Sequence, residues 1–255
     1  MKYLFLLLPL LLLTACQDDD DMTTDRMADL SIRFRAEYAA TGLDIGRTTY
    51  AYPQSSDSLR LTLFEYFLSD LSLLPADGGD PIRLSELQYV SYEQAEGPSE
   101  QTVTFPGIPV GDYRGISFGL GVKPELNNLD PAELPEGLPL TELQFWNERA
   151  RYVFAKIEAN AKLQGSNRFD TGLTYHLGGN DLYETVVLET PFTVSSDRRN
   201  SLMLLADVTR VFGDENDTPF DIRDPETQRI HGGNQAAAAV LWERLGEQFV
   251  LLEGQ

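Results

Sequence analysis

From Leu30 the chain alternates with a period of two. Leu30, Ile32, Phe34, Ala36 and Tyr38 are apolar, and Ser31, Arg33, Arg35 and Glu37 between them are polar. Successive side chains of a β-strand point to opposite faces, so this pattern fits a half-buried strand and no helix. The pattern recurs: Leu59, Leu61 and Leu63 alternate with Arg60 and Thr62, and apolar character continues through Phe67-Leu68 to Leu73-Leu74. Asp77-Gly78-Gly79-Asp80 then supplies a hairpin turn. Further strands are expected over residues 87–92, 101–105, 112–121, 151–163, 172–177, 184–194 and 201–212. In 151–163, Val153, Ala155, Ile157, Ala159, Ala161 and Leu163 share one face. Short strands punctuated by Gly, Pro and Asp predict an all-β fold, an antiparallel β-sandwich rather than βαβ units.

Two helical segments interrupt the strands. Thr141 and Gln144 have capping-box spacing ahead of Phe145-Trp146. Near the C-terminus Asn234 can cap a helix through Ala236–Ala239, with Val240, Leu241, Leu245 and Phe249 at helical spacing. Residues 213–230 are polar and acidic and read as a long surface loop. With no internal repeat and no long linker, residues 29–255 are expected to form one domain.

The first residues carry a different signal. Met1-Lys2 is a minimal positive start, followed by the apolar run Leu4 to Leu13, broken only by Pro9. That run is too short for a transmembrane helix, which needs roughly 20 apolar residues, but it suits a signal peptide. It ends in Leu13-Thr14-Ala15-Cys16, which resembles a lipobox, and Cys16 is the single cysteine of the chain. Residues 1–15 are therefore expected to be removed and Cys16 to be lipidated, anchoring the protein to a membrane. An ordinary secretory peptide with an incidental cysteine is the alternative. Asp18-Asp19-Asp20-Asp21 follows in a solvated tether, residues 16–28. This acidic run resembles the surface-export signal of Bacteroidota lipoproteins, which implies an exported protein on the outer membrane, facing outward from the cell. A plain spacer is the other reading.

Forty acidic residues against 20 basic ones give a net charge of −20. Such a surface repels nucleic acid, because phosphate contacts need Lys and Arg. One cysteine allows no internal disulfide, so a packed core must supply the stability.

There is no P-loop, H-E-x-x-H or C-x-x-C signature. No enzyme is expected. Asp214-Glu215-Asn216-Asp217 lacks the fixed glycine and terminal Glu of a calcium loop and reads as a solvated turn. Tyr50, Tyr52, Tyr89 and Tyr92 would form a glycan-stacking platform if their rings shared an open face, and sheet packing if they pointed inward. The chain has only two histidines. His176 stands in Tyr175-His176-Leu177-Gly178-Gly179 and His231 in Arg229-Ile230-His231-Gly232-Gly233. Each precedes a glycine pair, where a ligand or another backbone can approach closely. Imidazoles are good copper ligands if the fold brings them together, and ordinary structural residues if it does not.

Several segments occur in the order of a known family. Phe64-Glu65-Tyr66-Phe67-Leu68-Ser69-Asp70-Leu71-Ser72-Leu73 is similar to its strand Y-Y-(I/L)-S-N-(I/L)-x-L. The run Gly111-Asp112-Tyr113 through Gly121-Val122 is similar to G-x-Y-x-x-(I/L)-x-F-x-(I/L)-G-V, and Asn127 matches the asparagine that follows. Trp146 through Phe154 corresponds to W-x-W-x-x-G-Y-x-F, with Glu158 at an acidic position. Tyr175-His176-Leu177-Gly178 matches (F/Y)-H-(I/L)-G, and His231-Gly232 matches a closing H-G. Residues from about 29 to 249 thus resemble the MbnP-like family of copper-binding proteins, named after a methanobactin-cluster member.

The resemblance implies a β-sandwich that handles copper, with His176 and His231 as metal ligands. It further implies an oxidised tryptophan (kynurenine) near the metal, made by a dihaem peroxidase-type partner. Trp146, Glu148 and Tyr152 are the candidates for the modified or adjoining residue. The second tryptophan of W-x-W is Glu148 here, and the glycine before Tyr152 is Arg151. Glu148 is expected either to offer an oxygen ligand or to pair with Arg149 or Arg151. Trp242, among apolar residues, is expected in the core. A scaffold that keeps the fold with a degenerate metal site is the remaining reading.

Overall fold

In a computed structural model the chain is a β-sandwich, described for residues 26–92, 100–213, 217–232 and 236–254. The expected leader, Cys16, the acidic run, Asn234 and residues 214–216 lie outside the described residues. Strands β1 (Met27–Tyr38), β2 (Thr41–Gly42), β3 (Tyr50–Ala51), β4 (Ser58–Pro75), β5 (Ile82–Tyr92), β6 (Glu100–Pro109) and β7 (Gly111–Leu120) come first. After the short helix α1 (Pro124–Asn127) come β8 (Phe145–Asn147), β9 (Arg151–Tyr152), β10 (Ala155–Lys162), β11 (Thr171–Leu177), β12 (Glu184–Leu188) and β13 (Phe192–Val194). The chain ends with β14 (Asn200–Asp207), α2 (Val208–Phe212), β15 (Arg229–His231), α3 (Ala236–Glu247) and β16 (Phe249–Glu253).

Five strands form one sheet, in the order β16-β14-β1-β2 with β6 also on β1. Nine form the other, β12-β7-β4-β10-β11-β15, with β3 and β5 on β4 and β13 on β7. The alternation sorts the faces as expected: Leu30, Ile32, Phe34, Ala36 and Tyr38 are buried between the sheets. So are Ala155, Ile157, Ala159 and Ala161, which leaves Lys156 and Glu158 on the outer face of the larger sheet. Aromatic rings lock the interior, with Phe64 stacked on Tyr92 at 5.5 Å and Tyr66 edge-on to Phe249 at 5.3 Å.

Several local expectations yield to tertiary context. The pairings are mostly antiparallel, but β1 runs parallel to β14 and β11 parallel to β15, so both sheets are mixed. The strand expected over 201–212 ends at Asp207, whose carboxylate accepts the Thr209 N–H at 3.0 Å and caps α2. The Thr141 N–H donates to the Gln144 side-chain oxygen and the Thr141 hydroxyl accepts the Leu143 N–H, yet only one turn forms. The next residues are claimed by the β8–β9 hairpin, in which Phe145 pairs with Tyr152. The C-terminal helix is present, but Phe249 leaves it to pair with Ala206 at a sheet edge.

The 217–228 loop is pinned from below. Asp57, 3% exposed, accepts the Gln164 N–H at 2.6 Å and the Arg223 Nε–H at 2.8 Å. Burial opposes its charge, but the bonds from Arg223, Gln164 and Ser55 outweigh burial and hold the carboxyl below its ordinary range. Tyr52 adds a bond from its hydroxyl to the Phe220 carbonyl at 2.6 Å. This loop leads directly into β15 and so delivers His231.

Candidate metal centre

His176 and His231, widely separated in the chain, are register partners on the parallel strands β11 and β15. Their ring centroids are 5.3 Å apart and the planes are nearly perpendicular, at 72°. The Gly232 N–H donates to the His176 carbonyl at 2.8 Å and extends the pairing past the histidines. Rings this close can each direct a nitrogen at one ion with metal–nitrogen bonds of ~2 Å. Trp146 closes the group: its ring lies 4.6 Å from His231 and 5.6 Å from His176. The indole is 41% exposed, so one edge faces solvent.

The β8–β9 hairpin carries Trp146, and its position is fixed by hydrogen bonds rather than by length. The Asn147 side chain accepts from the N–H groups of Arg149 and Ala150, both at 2.9 Å, and closes the turn. Asn127, fully buried, accepts the Tyr152 N–H at 3.1 Å and donates to Asn180 at 2.7 Å. One asparagine therefore ties the hairpin to the loop that follows His176. Phe154 N–H reaches the Leu177 carbonyl at 2.7 Å, and Gly178 packs directly against the Tyr152 carbonyl. The close approach anticipated for the glycine pair after His176 is thus made by another backbone.

Electrostatics favour neutral imidazole at His231. Burial lowers its pKa first, and His176 and Arg229 lower it further. His176 instead has a carboxylate, with its Nε2 2.8 Å from Glu158 Oε1. Beside the histidines a cleft of about 520 Å³ is lined by Trp146, Arg149, Gly179, Asn180 and Asp181, among others. Sequence reasoning did not anticipate Arg149, Asn180 or Asp181 there, since nothing in their local pattern distinguishes them from other loop residues.

The remaining candidates separate clearly. Glu148 is 80% exposed and pairs with Arg151 at 3.4 Å, so it faces solvent. Tyr152 is buried against Phe145, with ring centroids 5.2 Å apart. Trp242 is in the core, as expected. Tyr50, Tyr52 and Tyr92 are buried, so the open aromatic platform of a glycan-binding surface does not form. Among the described residues, no three His, Cys, Asp or Glu side chains are arranged to hold one metal ion.

Arg151 explains how the chain tolerates its departure from the glycine pattern. Its φ is +57°, the left-handed conformation that glycine adopts without strain. Its guanidinium pairs with Asp130 at 2.6 Å and with Glu148. Arg151→Gly is therefore expected to keep the fold and to melt no lower than wild type, because relief of backbone strain offsets the exposed ion pairs. Arg151→Val, which keeps the strain and loses the pairs, is expected to melt lower. Thermal unfolding of the two variants checks this, and a lower melting point for the glycine variant would refute it.

No curated protein matches the chain. Among solved structures, MbnP from Methylosinus trichosporium has a similar fold, with a TM-score of 0.54 at 16% identity. The match covers 90% of this chain and 100% of that one. A family model described as MbnP matches residues 27–231, most of the chain. On that match the chain belongs to the MbnP family.

Proposed function

We propose that this protein binds copper through His176 and His231 and sequesters or hands on the ion without turnover. The observation that carries the reading is the cross-strand placement of the chain's two histidines beside Trp146. The donor chemistry fits: two imidazoles with a weak third ligand suit Cu(I), whereas Cu(II) usually wants more nitrogen or oxygen ligands in a tetragonal array. Family membership supports copper over other soft or borderline metals. Trp146 occupies the first position of the W-x-W pattern and is the tryptophan that stands beside the histidines. Titration with Cu(I) and Cu(II), followed by metal analysis and Trp146 emission, tests the reading. Stoichiometric uptake with a change in emission is expected, and no uptake of either ion would remove it.

The leader adds a location. We read Cys16 as the lipid-bearing residue of an outer-membrane lipoprotein, on the strength of Leu13-Thr14-Ala15-Cys16. Cys16→Ser is expected to move the protein from the membrane fraction to the soluble exported fraction. Unchanged membrane association would count against lipidation.

A further inference from the structure

The outer face of the larger sheet carries a polar row leading to the histidines. Glu65, Lys156, His176 and His231 are register partners on β4, β10, β11 and β15 in turn. The Lys156 ammonium lies 2.8 Å from Glu65, which also accepts the Tyr89 hydroxyl at 2.5 Å. Lys156 thus pairs with Glu65, and Glu158 stands two residues along the same face of β10. Glu158 is left to His176.

That bond decides which nitrogen is available. A carboxylate oxygen can only accept, so the Nε2 atom 2.8 Å from Glu158 Oε1 must carry the hydrogen. In the neutral imidazole the lone pair is then on Nδ1. Glu158 is not itself arranged as a third ligand with the two histidines.

We infer that Glu158 is a positioning residue that holds His176 as the Nε2–H tautomer and makes Nδ1 its copper-binding atom. The inference rests on the two-histidine reading above. A carboxylate behind a metal-bound imidazole fixes the ring orientation and raises the basicity of the donor nitrogen. Glu65, itself held by the Tyr89 hydroxyl, supports it indirectly by pairing with the neighbouring ammonium.

The test follows the two histidine rings by long-range ¹H–¹⁵N correlation in labelled protein at ~pH 8, where imidazole is neutral. Cu(I) is diamagnetic and can be added in the same sample, and His231→Asn assigns the rings. The expected result is a coordination shift at His176 Nδ1 while Nε2 keeps its hydrogen. A shift at Nε2 instead would overturn the role of Glu158 but leave the copper reading standing. No change at either ring would overturn the two-histidine reading itself. Chelator competition supplies a second measurement. Glu158→Leu is expected to weaken Cu(I) binding about 10–100-fold, and Glu158→Gln, whose amide oxygen still accepts from Nε2–H, to recover most of that loss. Equal affinity for Glu158→Leu and wild type would also overturn the inference.

Discussion

Replacing both His176 and His231 with alanine is expected to abolish stoichiometric copper binding while leaving the fold intact. Both donors are lost together, and no third residue of the ligand-forming types is placed to substitute among the described residues. The fold should survive because β11 and β15 are joined by backbone bonds, including Gly232 N–H to the His176 carbonyl, which alanine retains. The losses are the Glu158 bond and the ring contacts with Trp146, all near the surface. Stability should therefore change by no more than about 1 kcal/mol. Copper analysis after dialysis, paired with thermal unfolding, separates the outcomes. A folded double variant that keeps its copper would place the metal elsewhere.

Gly178→Ala is expected to destabilise the protein and to disturb the candidate site by adding a single methyl group. A Cβ there would lie 2.5 Å from the Tyr152 carbonyl oxygen, 3.2 Å from Val153 Cα and 3.3 Å from Phe154 N. All three are backbone atoms, so no side chain can swing aside to make room. Overpacking of this kind costs about 1–3 kcal/mol, sometimes more, which at this chain length corresponds to a Tm lower by roughly 2–12 °C. The functional consequence is larger than the thermal one. The hairpin pushed away is the one that carries Trp146, so the indole should leave the histidines and the copper-dependent emission change should disappear. Gly172→Ala, in the strand β11 that Gly178 follows, is the control, since nothing lies within 4 Å of its Cβ position. If the two variants melt together, the close approach at Gly178 is not structurally important.

Much of the sandwich was legible because alternation is a local property. β1 and β10 could be read residue by residue, and their buried faces match the expected ones. The failures have a common cause in competition from partners distant in sequence. Thr141 and Gln144 carry a helix-start pattern, but Phe145 gains more by pairing with Tyr152. Phe249 continues a helical spacing, but a vacant position beside β14 takes it into a strand. Tyr50, Tyr52 and Tyr92 could have faced either way, because a period of two defines two faces without saying which one meets the other sheet.

The sequence by itself determined the strand-rich class, the residues of the two buried faces in the best-patterned strands, the family, and the two histidines worth watching. Tertiary structure alone decided that these histidines are neighbours. Parallel pairing of β11 with β15 requires a long crossover, and no local periodicity encodes the register at which such strands meet. That register, together with the asparagine and glycine contacts that seat the Trp146 hairpin, turns two isolated imidazoles into one candidate site.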